Sequence, residues 1–182
     1  MNDRTHFIVM GVAGCGKTTL ATALSERLGW SYAEADDFHS VENITKMANG
    51  IPLKDDDRWP WLTAIKTWIT EKSAADESTI VTCSALKRSY RDLLASADGE
   101  VVFIHLHGDA ELIRSRMAGR SGHFMPESLL ASQFETLEAL ADDECGIAVA
   151  NTGKLEQTID AILRRLSTDT GECEAEVAQR RG

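Results

Sequence analysis

Gly11-Val12-Ala13-Gly14-Cys15-Gly16-Lys17-Thr18 has the form G-x-x-x-x-G-K-[ST], a loop whose backbone N–H groups turn inward around phosphates. It follows the apolar run Phe7-Ile8-Val9-Met10. It precedes a helical pattern over 18–28, in which Leu20, Ala21, Leu24 and Leu28 recur on one face and Gly29 stands as a stop. Strand, glycine loop and helix are the context that gives the motif meaning, because the helix points the positive end of its dipole at whatever the loop holds. Gly11, Gly14 and Gly16 free the backbone for conformations closed to other residues. Lys17 is placed to reach β- and γ-phosphates, and the Thr18 hydroxyl to ligate a bridging Mg²⁺. The motif therefore implies a triphosphate site drawn from Gly11, Val12, Ala13, Gly14, Cys15, Gly16, Lys17, Thr18 and Thr19, with ATP and Mg²⁺ as expected cofactors.

Further short apolar runs lie at 31–35, 80–83, 101–106 and 147–150, separated by helical patterns. That alternation predicts a parallel sheet wrapped by helices. Trp61, Leu62, Ile65, Trp68 and Ile69 make one face of a helix that Pro60 is suited to start, and their periodicity reads as core packing. The 182 residues suit one domain, expected over 1–167. Residues 168–182 are polar, acidic and aperiodic, and are expected to form a tail. A net charge of -10 argues against nucleic-acid or membrane-surface partners. Four scattered cysteines without a C-x-x-C pair suit reduced thiols in a cytoplasmic protein, and no leader or membrane span is expected.

Many proteins with such a loop only hydrolyse nucleotides, so the discriminating residues lie elsewhere. Glu34-Ala35-Asp36-Asp37-Phe38-His39 falls at the carboxyl end of the second strand, where ligands gather in open α/β sheets. The third strand, Thr79 to Ser84, has no terminal Asp for the metal, so Asp36 is the expected acid that supports Mg²⁺ and orients an acceptor hydroxyl. If the strand runs through both acids, Asp36 and Asp37 face opposite ways.

Three more segments complete the pattern: Asn43-Ile44-Thr45-Lys46-Met47, then Gly50-Ile51-Pro52-Leu53-Lys54-Asp55-Asp56-Asp57-Arg58-Trp59-Pro60-Trp61-Leu62, then Cys83-Ser84-Ala85-Leu86-Lys87-Arg88-Ser89-Tyr90-Arg91-Asp92. Together with Asp36-Asp37-Phe38-His39 they resemble the P-loop gluconokinases, relatives of shikimate and adenylate kinases. A further cluster, Arg114 to Met125, resembles that family's mobile lid, placed over 116–126, with Gly119 and Gly122 as hinges and Arg116 and Arg120 closing over the phosphates.

The resemblance implies a three-layer α/β/α domain with a five-stranded parallel sheet in the order 2-3-1-4-5. It also implies a homodimer, and transfer of phosphate from ATP to the 6-hydroxyl of D-gluconate. Lys17, Asp36, Arg116 and Arg120 would be catalytic. Gluconate offers one carboxylate and a row of hydroxyls, which calls for cations plus neutral donors and acceptors; His39, Arg58, Lys87, Arg91, His123 and Gln133 supply those types, and Asp36 completes the expected substrate-binding set. Two other readings compete: a kinase for shikimate or another small acid, and a nucleotide-dependent switch, whose case is weakened by the absence of an Asn-Lys-x-Asp segment.

Overall fold

The apolar run before the glycine loop forms β1 (Thr5–Met10), buried from His6 onward. A computed structural model describes residues 4–118, 127–151 and 154–166. Its other strands are β2 (Ser31–Glu34), β3 (Thr79–Thr82), β4 (Glu100–His107) and β5 (Gly146–Ala150). All pairings are parallel and the order is β2-β3-β1-β4-β5. β1 lies at the centre: Phe7 sits opposite Ile80 on one side and Val102 on the other.

The period of two along β1 sorts its side chains onto two faces. Phe7 and Val9 join a core with Leu20, Ala21 and Leu24 of α1 (Lys17–Leu28), Leu130 of α6 (Glu127–Thr136), and Ile159 and Ile162 of α7, a helix over 155–166. Ile8 and Met10 join the opposite core with Trp61, Leu62, Ile65 and Ile69 of α3 (Asp55–Ala74), and Tyr90 and Leu94 of α4 (Arg88–Ala95). These are the three layers expected. Each fully buried Leu or Ile on these faces is worth about 1.5–3 kcal/mol by area. Shorter helices, α2 (Val41–Ala48) and α5 (Ala110–Ala118), complete the described chain. Among the described residues no helix is long and apolar enough to cross a membrane.

The structure corrects three local expectations. α3 starts at Asp55, not at Pro60, which lies inside the helix. Three acids in its first turn suit the positive end of the helix dipole, and Asp57 accepts from the Lys54 N–H at 2.9 Å. Those gains sit where the start is actually made, and Pro60 forgoes one later backbone bond. β2 ends at Glu34, and Ala35–Phe38 is a turn of 3₁₀ helix. Asp36 and Asp37 are therefore both exposed on that turn, and the two-faced alternation of a strand does not apply to them. Lastly, Cys15 and Cys83 are free thiols, but Cys145 stands in a disulfide.

Candidate active site

At the carboxyl end of β1 the chain turns through Gly11 (φ 137), Gly14 (φ 77) and Gly16 (φ 101), the last capping α1. All three lie in the left-handed region where a β-carbon is penalised. Gly11 is further confined: a Cβ there would stand 2.5 Å from the Leu106 carbonyl oxygen. The loop is held from several directions. Gly11 N–H donates to Ser84 O, Lys17 Nζ donates to Gly11 O at 3.1 Å and Val12 O at 3.0 Å, and Asn151 Nδ2 donates to Cys15 O at 2.7 Å. Ala13 N–H donates to Gln133 Oε1 at 2.7 Å. Cys15 is wholly buried, which fits a small packing residue of the loop.

Beside the loop stands a carboxylate that the sequence reading passed over. Glu34, the last residue of β2, lies opposite Thr82 of β3 and accepts hydrogen bonds from the Thr82 and Tyr32 hydroxyls. Burial works against its ionisation, but the Thr82, Tyr32 and Thr18 hydroxyls and the Lys17 charge outweigh it and hold the carboxyl below the usual range. Tyr32 is pushed up in turn, by burial and by its bond to that carboxylate. Thr18, Lys17 and an ionised Glu34 together make a donor set that fits Mg²⁺ and the oxygens of a triphosphate. A carboxylate at a strand's carboxyl end was the available signal; attention to Asp36, two residues on, concealed it.

The neighbouring cluster is built by the 3₁₀ turn, the start of α3 and the start of α4. His39 stacks on Trp61 with ring centroids 4.4 Å apart, and Trp61 Nε1 fixes the turn by donating to Ala35 O at 2.6 Å. Burial lowers the pKa of His39; Asp36 opposes this and Arg58 adds to it. His39 Nδ1 is buried with no hydrogen-bond partner among the described residues.

Three cations were expected to hold an acid, and their situations differ. Lys87 donates to both oxygens of Asp55 at 2.9 and 2.8 Å. The Tyr90 hydroxyl also donates to Asp55, at 2.5 Å. Arg58 has no carboxylate within ion-pair distance among the described residues; it donates to Tyr90 Oη at 3.3 Å and lies 5.7 Å from that ring.

Arg91 departs from the substrate-binding role. It is 1% exposed, paired with Glu144 at 2.5 Å, and donates to the carbonyls of Ala85, Leu86, Glu138 and Ala139. Its donors are consumed in riveting α4 to the segment after α6, because a buried guanidinium must be paired to be tolerated. Gln133 likewise meets the phosphate loop. Arg116 lies on α5, and its side chain, with Arg120 and His123, is outside the described residues.

A glycine loop at the end of the central strand of a parallel five-stranded sheet, with an ionised carboxylate beside it, defines a P-loop kinase domain. A family model described as an AAA domain matches residues 7–141, from β1 to beyond α6. The gluconokinase of Gluconobacter oxydans (strain 621H) is 43% identical over 162 residues, which span 89% of this chain and 91% of that one. Two solved structures are similar throughout. A sugar kinase from Janibacter sp. HTCC2649 has TM-score 0.83 and 52% identity over 90% of this chain and 93% of its own. A gluconokinase from Sinorhizobium meliloti 1021 has TM-score 0.80 and 45% identity over 91% and 95%. The chain belongs to the gluconokinase family.

Proposed function

We propose that the protein phosphorylates D-gluconate at its 6-hydroxyl with ATP, giving 6-phosphogluconate and ADP. The observation that carries this reading is the junction of two unlike surfaces. The phosphate loop with Lys17, Thr18 and Glu34 borders a turn whose Asp36 and His39 lie near Arg58, a cation without a carboxylate partner among the described residues. Bound Mg·ATP supplies the phosphoryl group and neutralises its charge.

The protein's own part is positioning. Lys17 would leave the Gly11 and Val12 carbonyls for the β- and γ-oxygens. Thr18 and Glu34 would hold the metal. Asp36, exposed at the turn, would accept a hydrogen bond from the acceptor hydroxyl and orient it. Arg58 would pair with the gluconate carboxylate as a planar fork. His39, kept neutral by burial, would serve as a donor or acceptor to a sugar hydroxyl. Arg116, Arg120 and His123 belong to the same reading as lid residues. So do the homodimer and the cytoplasmic location, which rest on family resemblance.

The test is a coupled ADP-release assay with gluconate, glucose and shikimate as acceptors. Glucose leaves the cationic pocket without its anion, a mismatch of a few kcal/mol, so kcat/KM for gluconate should exceed that for glucose by roughly a hundredfold or more. Equal efficiency on the two would refute the pocket; a preference for shikimate would favour the small-acid alternative; ADP release indifferent to any acceptor would favour a switch.

A further inference from the structure

Gln133 was expected to touch the sugar acid; the structure assigns it to the nucleotide. We propose that Gln133 is a positioning residue for the triphosphate, holding the Val12–Ala13 peptide of the phosphate loop so that the loop keeps its shape when Lys17 turns toward phosphate oxygens. This deepens the kinase reading above and rests on it for its nucleotide.

The argument starts from the peptide units of the loop. A loop of glycines and small residues is cheap to bend, and each of its peptide planes can rotate unless both ends are tied. The Gly11 N–H is tied to Ser84 O, the Cys15 N–H to Val12 O, and the Cys15 carbonyl to Asn151. The Val12–Ala13 unit is gripped from opposite ends: its carbonyl by Lys17 Nζ at 3.0 Å and its N–H by Gln133 Oε1 at 2.7 Å. Because Ala13 supplies the proton, the acceptor has to be the amide oxygen, so the orientation of the Gln133 amide follows from the bond itself. Lys17 is the residue expected to redirect its protons in the reaction. When it does, the Cys15 N–H at 3.3 Å still meets the Val12 carbonyl, and Gln133 is the remaining side-chain hold on that peptide among the described residues.

The hold is firm because of where α6 is anchored. Leu130, one turn earlier, is 3% exposed in the main core, and Phe134 packs against the same core. One turn later, Leu137 N–H donates to the Gln133 carbonyl, and Glu138 N–H donates to Leu86 O at 2.8 Å. Arg91 then binds the Glu138 and Ala139 carbonyls. Gln133 thus reaches the phosphate loop from a helix fixed at both ends, and its far end is fixed at residues adjoining Lys87.

The experiment uses Gln133→Met, which keeps length and apolar stem but replaces the amide oxygen by a thioether, a weak acceptor. Titration with Mg·ATP, with no acid present, reads Kd by calorimetry, and steady-state assays read KM for gluconate; melting temperature confirms folding. Loss of one hydrogen bond to a backbone amide should weaken ATP binding by roughly 3–10-fold, while KM for gluconate stays within about twofold. Gln133→Glu is the companion. It keeps an acceptor for Ala13 but adds negative charge beside the triphosphate, so it too should weaken ATP binding without raising KM for gluconate, and it serves if the Met variant does not fold. A rise in KM for gluconate with unchanged ATP affinity would return Gln133 to the acid pocket and overturn the proposal. A lower melting temperature with both constants unchanged would make the contact purely structural and overturn it as well. The calorimetric arm needs no acceptor, so a wrong assignment of gluconate would not be mistaken for a wrong assignment of Gln133.

Discussion

The two halves of the site are organised by different physics. On the nucleotide side the contacts are largely made to main-chain groups: glycine backbone in left-handed conformations, a lysine on carbonyls, an asparagine and a glutamine on loop peptides. On the acid side the contacts run largely between side chains: Lys87 to Asp55, Tyr90 to Asp55, Arg58 to Tyr90. A backbone cradle depends on a few consecutive residues and can be recognised wherever they occur. A side-chain pocket depends on which cation is left over after the others are paired, and only the folded chain decides that.

Substitutions at four positions and a pH series probe this difference. The largest effect belongs to Arg91, the cation that looked like a ligand and is a rivet. Arg91→Met leaves the Glu144 carboxylate, its side chain 5% exposed, with only the Ala141 N–H at 3.0 Å and the longer Arg88 pair at 3.6 Å, and takes the guanidinium donor from four carbonyls. Unfolding free energy should fall by about 3–5 kcal/mol in a denaturant titration, while the folded fraction keeps its KM for gluconate. If stability is unchanged and KM rises instead, Arg91 belongs with the acid pocket after all.

Next comes Arg58. Removing its fork should cost about 1.5–3 kcal/mol of gluconate recognition, roughly 10–150-fold in kcat/KM, with ATP affinity little altered. Lys87→Met should be milder, because Lys87 already spends its charge on Asp55. Matching losses at the two positions, measured side by side, would show that both cations meet the substrate.

The smallest effect separates the site from the rest of the fold. Glu34 is held below the ordinary carboxylate range and His39 below the ordinary histidine range, so a fall in pH below 7 disturbs the charge of either less than it would a free side chain. His6 does respond. Burial lowers its pKa to about 4, its Nδ1 pairs with Thr79 at 2.8 Å, and its Nε2 has no partner among the described residues. In the unfolded chain this histidine takes up a proton below about pH 6.5. Between 6.5 and 4 the unfolded state therefore binds more protons, and stability declines as pH falls, by about 1 kcal/mol per pH unit. His105, lowered to about 4 by burial and the neighbouring His107, adds to the slope. Urea midpoints at pH 7 and 5 measure it, and His6→Gln should remove about half of it, His105 keeping its share; a slope unchanged in the variant would point to another group.

Much of the fold was written in local pattern. Alternation of apolar runs and helical faces, with a glycine loop at the first junction, was enough to expect a parallel sheet and the cradle; the strand order followed only from the family resemblance. The departures share a cause. Where α3 starts is decided by the dipole, the Lys54–Asp57 contact and packing together, and the helix tolerates Pro60 in its sixth position. Glu34 was hidden because its importance comes from Thr82 and Thr18, residues 48 and 16 positions away, meeting at one strand end. Arg91 and Gln133 carried the right chemistry for an acid pocket, but the segment after α6 absorbs the first and Ala13 absorbs the second.

Gly11 has a further consequence for how such a protein could diversify. Its α-carbon is pressed toward the end of β4, where an added methyl would meet the Leu106 oxygen at 2.5 Å, and its N–H reaches Ser84 beyond β3. The mouth of the cradle is thus cut from three neighbouring strand ends at once. A change there is not a local edit but a displacement of the middle of the sheet. Inheritance of the loop is in that sense enforced by the sheet's architecture, and descendants with altered nucleotide preference would have to accumulate their changes at the periphery, at positions such as Gln133 and Asn151, whose side chains grip the loop from outside.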